Sequence, residues 1–241
     1  MRDASAPVLR EFETWLSLFT GDEIGSHGWK AWFCVAEYER PDFERVADLL
    51  PNGGSFAFLG RDAEDQADII RALDDAGQEV AFHSHRHHAY GDLSYEEASD
   101  AISTGMAAIE DASGVSPDGF FVPFLDLSDG AVDAIEDEGF DWVLGRTDRD
   151  PSGVDIMEPV IPFDTRLLEE HDPEEAMAIL REDAREGGKP FLFHPPVVEY
   201  HDGWGEFTEW VEAVEPTTVA DQPETGRPGV VLDCVRPVRI E

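Results

Sequence analysis

Glu79-Val-Ala-Phe-His-Ser-His-Arg-His-His88 is a short apolar run that breaks into histidines. Val80, Ala81 and Phe82 read as a buried strand. Four of the chain's eight histidines follow within six residues: His83, His85, His87 and His88. Ala89-Tyr-Gly-Asp92 then reads as loop. In α/β folds, sites are built at the carboxyl ends of buried strands. Neutral imidazole is the commonest side-chain metal ligand at working pH. The run therefore predicts a divalent-metal site at a strand end, with a solvated histidine-rich loop as the plainer alternative.

Outward from this run, the chain alternates strand and helix. Toward the amino end, Ser55-Phe-Ala-Phe-Leu59 reads as a strand and residues 63–76 as a helix closed by Gly77. Pro41 opens an earlier helix carrying Phe43, Val46, Ala47 and Leu50, which Pro51-Asn-Gly-Gly54 stops. Before it come a strand, Ala31–Ala36, and an amphipathic helix over residues 8–19. Toward the carboxyl end, Ser94 with Glu97 is a capping box for a helix with Ala98, Ile102, Met106 and Ile109 on one face. Gly119–Pro123, Asp141–Gly145, Met157–Phe163 and Pro190–His194 read as strands. Between them, Ser128 caps a helix ending at Gly139, and Asp172-Pro173 starts another. Phe207, Trp210, Val211 and Val214 mark a short helix, and Thr217–Val219 a last strand. Seven or eight such units predict an α/β fold: a single deformed (β/α) barrel of seven or eight parallel strands. The expected organisation is a helix and loop over residues 1–28, the barrel over 29–221, and an extended tail over 222–241. An open doubly wound sheet is disfavoured, because no glycine-rich phosphate loop follows the first strand.

The chain has 54 acidic and 17 basic residues among 241, a net charge of −37, and only two lysines, Lys30 and Lys189. Such self-repulsion opposes a compact state in dilute buffer. In molar salt the Debye length falls to about 3 Å and the repulsion is screened. The composition thus predicts a halophilic protein. It argues against nucleic acid and anionic membranes as partners. Cys34 and Cys234, far apart and without a CxxC pattern, read as free buried thiols. With no signal-like or membrane-spanning run, the expected location is the cytoplasm, without membrane insertion.

In a barrel the strand ends converge on one mouth. Those ends offer Glu37, His83 to His88, Asp126, Asp148 or Asp150, Asp164 and His194. Imidazoles among carboxylates suit Zn²⁺ or another transition metal with an activated water.

The runs Gly54-Ser-Phe-Ala-Phe-Leu-Gly60 and Ala76-Gly-Gln-Glu-Val-Ala-Phe-His-Ser-His-Arg-His87 resemble the polysaccharide deacetylase family, the nodulation-type and chitin-deacetylase-like carbohydrate esterases. Asp92-Leu-Ser-Tyr-Glu96, Gly119–Phe124, Gly139–Trp142 and Phe191–His194 continue the similarity. The resemblance implies hydrolysis of acetyl groups from a sugar or glycan precursor. It implies His83 and His87 as ligands of one divalent metal, Zn²⁺ foremost, with Ser84 holding the loop between them. It implies His194 as general acid toward the leaving amine. Two positions depart from the family. Its first motif is an aspartate pair, a base and a metal ligand, at the end of strand one. Here Ala36 falls on the base and Glu37 on the ligand, with Glu39 in a shifted register. An arginine that orients the base is replaced by Phe121. Glu37 or Asp126 is then expected to take the base role.

Two other readings compete. His83 and His85, two apart on a strand, share a face and can bind metal as the HxH of an amidohydrolase- or phosphoesterase-type barrel. The third reading is a catalytically impaired relative that binds glycan or a protein partner without turnover.

Overall fold

The computed structural model describes residues 41–149, 153–185 and 187–234. They fall in one compact unit, residues 40–235. The helix expected over residues 8–19, the strand Ala31–Ala36, and Cys34, Ala36, Glu37, Glu39 and Asp150 lie outside the described residues.

Seven parallel strands form one sheet: β1 (Ser55–Phe58), β2 (Glu79–Phe82), β3 (Gly119–Asp126), β4 (Trp142–Arg146), β5 (Asp155–Met157), β6 (Phe191–Phe193) and β7 (Val230–Asp233). Their spatial order is β5-β4-β3-β2-β1-β7-β6. The Val160 amide donates to the Pro190 carbonyl at 2.8 Å, tying the segment after β5 to the residue before β6 across the open side. This curled parallel sheet is the deformed barrel expected from the sequence. Helices cover it: α1 (Pro41–Asp48), α2 (Ala63–Asp75), α3 (Tyr95–Ser113), α4 (Asp129–Glu138), α5 (Asp164–Glu170), α6 (Pro173–Asp183), α7 (Pro195–Tyr200), α8 (Trp204–Val214) and α9 (Gln222–Thr225). Among the described residues, none is long and apolar enough to cross a membrane.

The helix starts follow local chemistry. Ser94 accepts from the Glu97 amide while the Glu97 carboxylate returns to Ser94, closing the capping box of α3. Ser128 and Asp172 cap α4 and α6 in the same way. Each such cap is worth about 1 kcal/mol.

Strand alternation sorts the core into two sides. Ala57, Ala81, Phe121, Leu144, Leu192 and Val231 pack together as one cluster, with Trp142 and Val219. The intervening positions pack under the helices: Phe82 against Phe120 and Phe140, and Phe193 against Phe207 and Trp210. The small Ala57 and Ala81 leave room for Phe121. Gly119 leaves room for Trp142, whose Cε2 would lie 2.1 Å from a Cβ at that position.

Three strands differ from expectation. The Met157–Phe163 strand begins at Asp155 and ends at Met157, because Pro159 and Pro162 have no amide to donate to a ladder. β3 runs on from Pro123 to Asp126 through a register shift between Phe121 and Asp126, with Phe124 and Leu125 at positive φ. Thr217–Val219 is not a strand; Thr217 makes only an isolated bridge to Gly229. The last strand is instead β7, within residues 222–241, which were expected as an extended tail. It is no edge piece: it pairs with β1 on one side and β6 on the other.

Beneath the cluster, at the amino ends of the strands, Glu79 turns inward. Its carboxylate accepts from Ser55 Oγ, from Trp142 Nε1 at 2.6 Å and from the Ala220 amide at 3.4 Å. Burial raises its pKa above the ordinary 4.5, and the hydrogen bonds from Ser55 and Trp142 only partly offset this. A carboxyl whose folded-state pKa is raised contributes stability below its unfolded pKa and loses it as pH climbs through the folded value. Melting wild type beside Glu79→Gln from pH 4 to 8 should therefore show wild type losing ground to the variant once pH passes about 4.5. A difference that stays flat or grows in favour of wild type would contradict the burial described here.

Candidate metal and acid–base site

Two steps along β2 from Glu79 is Ala81, and two more is His83. This inward column ends at the carboxyl mouth. The His83 ring is fully buried and lies flat on Phe121, with centroids 4.2 Å apart and planes 13° apart. Its Nδ1 is 2.7 Å from the Phe121 carbonyl oxygen, so Nδ1 carries the proton and donates. That fixes the tautomer and leaves the Nε2 lone pair facing the mouth, the arrangement by which ligand histidines are oriented.

The loop after β2 brings a second imidazole back. Ser84 and His87 both have positive φ, 72° and 58°, unusual for residues with a Cβ. Hydrogen bonds hold this shape. The His88 amide and the Tyr90 hydroxyl donate to Ser84 Oγ at 3.2 and 3.3 Å, and His88 Nδ1 lies 3.0 Å from it. Ser84 thus fastens the loop, as the resemblance implied. His87 consequently meets His83 edge-on, centroids 4.9 Å apart, with Phe124 against its other side.

The third member comes from β7. Asp233 ends the inward pair Val231, Asp233, and its carboxylate groups with His83 and His87, one donor atom from each lying within 4.8 Å of the others. His83 Nε2 and His87 Nδ1 are both buried without a hydrogen-bond partner. Unpaired buried nitrogens are costly unless something else uses their lone pairs. Two imidazoles and a carboxylate are a common donor set for Zn²⁺ and related ions. Burial pushes the His83 pKa down, against the Asp233 charge. Burial, the neighbouring His83 and then Arg61 push that of His87 well down. Both rings therefore stay neutral, as metal ligation requires.

Beside this group stands His194, at the end of β6. Its Nδ1 is 2.8 Å from Asp164 Oδ1, and its Nε2 is 3.6 Å from Asp233 Oδ2. Asp164 is fully buried at the start of α5 and also accepts from the His194 and Thr165 amides. Burial works against a charged His194, but the Asp164 charge and hydrogen bond, with Asp233, outweigh it and raise the pKa. Asp164–His194 is thus a buried pair poised to hold a proton.

The other sequence candidates lie elsewhere. Asp126 is not brought into the group. Its carboxylate is 2.9 Å from Arg146 in an ion pair, with two-thirds of the side chain (67%) exposed. His85 is not brought in either; its Nδ1 would lie 2.9 Å from a Cβ at Gly60, on the side facing α3 rather than the mouth. The geometry thus joins His83 with His87, not with His85. Asp148, in the loop after β4, is not in the group. Asp233 was missed by sequence reasoning, although the apolar run Val230-Val-Leu ending in an acid was a usable signal.

With this geometry in view, the comparisons fall into place. A family model described as polysaccharide deacetylase matches residues 53–143. No curated protein matches the sequence. Among solved structures, a Mycobacterium smegmatis protein assigned to the polysaccharide deacetylases is 16% identical, with a TM-score of 0.65, covering 88% of this chain and 80% of that one. A family 4 carbohydrate esterase from Streptomyces lividans in complex with acetate is 18% identical, with a TM-score of 0.54, covering 83% and 94%. A family 4 pseudoenzyme from Bacillus anthracis is also 18% identical, with a TM-score of 0.52, covering 82% of this chain and 60% of that one. At these identities the structural likeness speaks for the fold. Together with the sequence match over residues 53–143, it identifies the chain as a relative of the polysaccharide deacetylase family.

Proposed function

We propose that the chain is a metal-dependent hydrolase that removes acetyl groups from a carbohydrate by cutting an amide C–N bond. The observation that carries this reading is the pair of buried, unpartnered nitrogens, His83 Nε2 and His87 Nδ1, grouped with Asp233. His83, His87 and Asp233 would hold the ion, with Asp233 in the role first given to Glu37, and zinc suits the donor set. When bound, a divalent ion there supplies a Lewis acid for an acyl carbonyl and acidifies a water. The chain's own residues do the rest. Asp164 holds His194 by Nδ1, which leaves Nε2 to give its proton to the departing nitrogen. Phe121 stacks on His83 and keeps it aimed. The proton of the attacking water is assigned to Glu37.

A second reading, binding without turnover, is favoured by one feature. The position where the resemblance calls for a base-orienting arginine holds Phe121, which packs on a ligand instead. Acetate release from acetylated chito-oligosaccharides separates the two. Turnover that falls by a factor of about 10² or more in His194→Ala supports hydrolysis. Asp164→Asn should lower kcat in the same direction while leaving metal content intact. Stoichiometric metal with no turnover on any acetylated sugar favours binding alone.

Metal analysis tests the ligand set by itself. Wild type and His85→Ala are expected to retain one equivalent of ion, whereas His83→Ala, His87→Ala and Asp233→Ala lose it. Full metal in His87→Ala together with loss in His85→Ala would instead support the HxH reading.

The charge of −37 is read as adaptation to a salt-rich cytoplasm. The melting temperature should climb as KCl rises from about 0.1 M, where the Debye length is about 10 Å, into the molar range. A melting temperature independent of salt, or falling with it, would remove the halophilic assignment.

A further inference from the structure

We propose that Arg61, with Arg86 at the rim beside it, makes this site select sugars that carry a carboxylate near the acetyl group. The inference rests on the hydrolase reading above and names its substrate class.

Arg61 follows directly on the carboxyl end of β1, in a 3₁₀ turn over Gly60–Asp62. That turn is pinned to the histidine loop by two backbone bonds. The Gly60 amide donates to the Ser84 carbonyl and the Arg61 amide to the His85 carbonyl, both at 3.0 Å. A cation is thereby fixed to the very loop that carries His83 and His87. Its charge reaches His87, where it counts against protonation after burial and His83. The side chain is only 19% exposed, and its Nε lies 3.6 Å from Asp62 Oδ1, longer than a hydrogen bond. Arg146 and Arg166, by contrast, sit 2.9 Å from surface carboxylates of their own. Arg86 adjoins His87 in the chain and is exposed. Two guanidinium groups on neighbouring loops are a notable concentration in a chain with 17 basic residues against 54 acidic ones. Guanidinium is the side chain whose planar fork matches a carboxylate. A largely buried charge also keeps its influence in salt better than an exposed one.

The test compares binding of N-acetylglucosamine and N-acetylmuramic acid, which differ by a lactyl ether bearing a carboxylate. Calorimetry would use metal-loaded wild type, Arg61→Gln, Arg61→Lys and Arg86→Gln. Wild type should bind the acidic sugar about tenfold more tightly, equivalent to about 1.4 kcal/mol. Arg61→Gln should lose that preference with little change toward the neutral sugar. Arg61→Lys should keep part of it, and Arg86→Gln, at an exposed position, should weaken it less. If Arg61→Gln fails to fold, the wild-type preference and its partial retention in Arg61→Lys decide the matter. Equal binding by wild type, no binding of either sugar, or an unchanged preference in a folded Arg61→Gln overturns the proposal. Acetate release in the same samples keeps the two readings apart. A preference without release removes hydrolysis but keeps the selectivity; release without a preference does the reverse.

Discussion

The site depends on one pairing: β7 lies between β1 and β6, with Ser55 opposite Val231 and Ala57 opposite Asp233. Parallel pairing in this register sends Val231 into the interior cluster and Asp233 to the mouth above it. A slip of one residue would reverse every side chain on the strand and bury Leu232 there instead. The carboxylate grouped with His83 and His87 is thus delivered by the last described strand of the chain, about 150 residues after the histidines. The hydrophobic layer of Ala57, Ala81, Phe121 and Val231 is the floor on which that group rests.

That floor also sets the electrostatics. Desolvation keeps the two histidines neutral, while a buried aspartate on the far side keeps His194 proton-bearing. Imidazoles within one small mouth thus have opposite tendencies, because His194 has Asp164 at Nδ1 whereas His83 has only a neutral carbonyl there. Pairs of titratable groups pushed apart in this way mark acid–base assignments. The positive φ of Ser84, His87, Phe124 and Leu125 falls in the two loops that wall the histidines, after β2 and within the bulge of β3. Strain of this kind persists where surrounding contacts hold it, and here Ser84 Oγ is the fastening.

Much of this was legible in the amino-acid order. Apolar runs closed by glycines located β1, β2 and β4, and Ser94, Ser128 and Asp172 located helix starts, because caps and turns are local chemistry. His83, His87 and His194 were legible for the same reason: each ends an apolar run or follows one closely. Asp233 was not. Its strand is four residues long and follows Pro223, Gly226, Pro228 and Gly229, which read as coil, and its acid is one of 54. Thr217–Val219 looked more strand-like, yet Val219 donates to Ser55 Oγ and Thr217 bridges only Gly229. Asp126 ended a run as promisingly as Asp233 does. The bulge at Pro123 lets it pair with Arg146 instead, and sequence periodicity does not reveal a bulge.

Anomalous diffraction at the zinc absorption edge, from crystals of the chain purified with zinc, tests the central claim most directly. The account predicts one strong peak about 2.0–2.2 Å from donor atoms of His83, His87 and Asp233 together. A peak at His85, or one that leaves Asp233 out of contact, would contradict it.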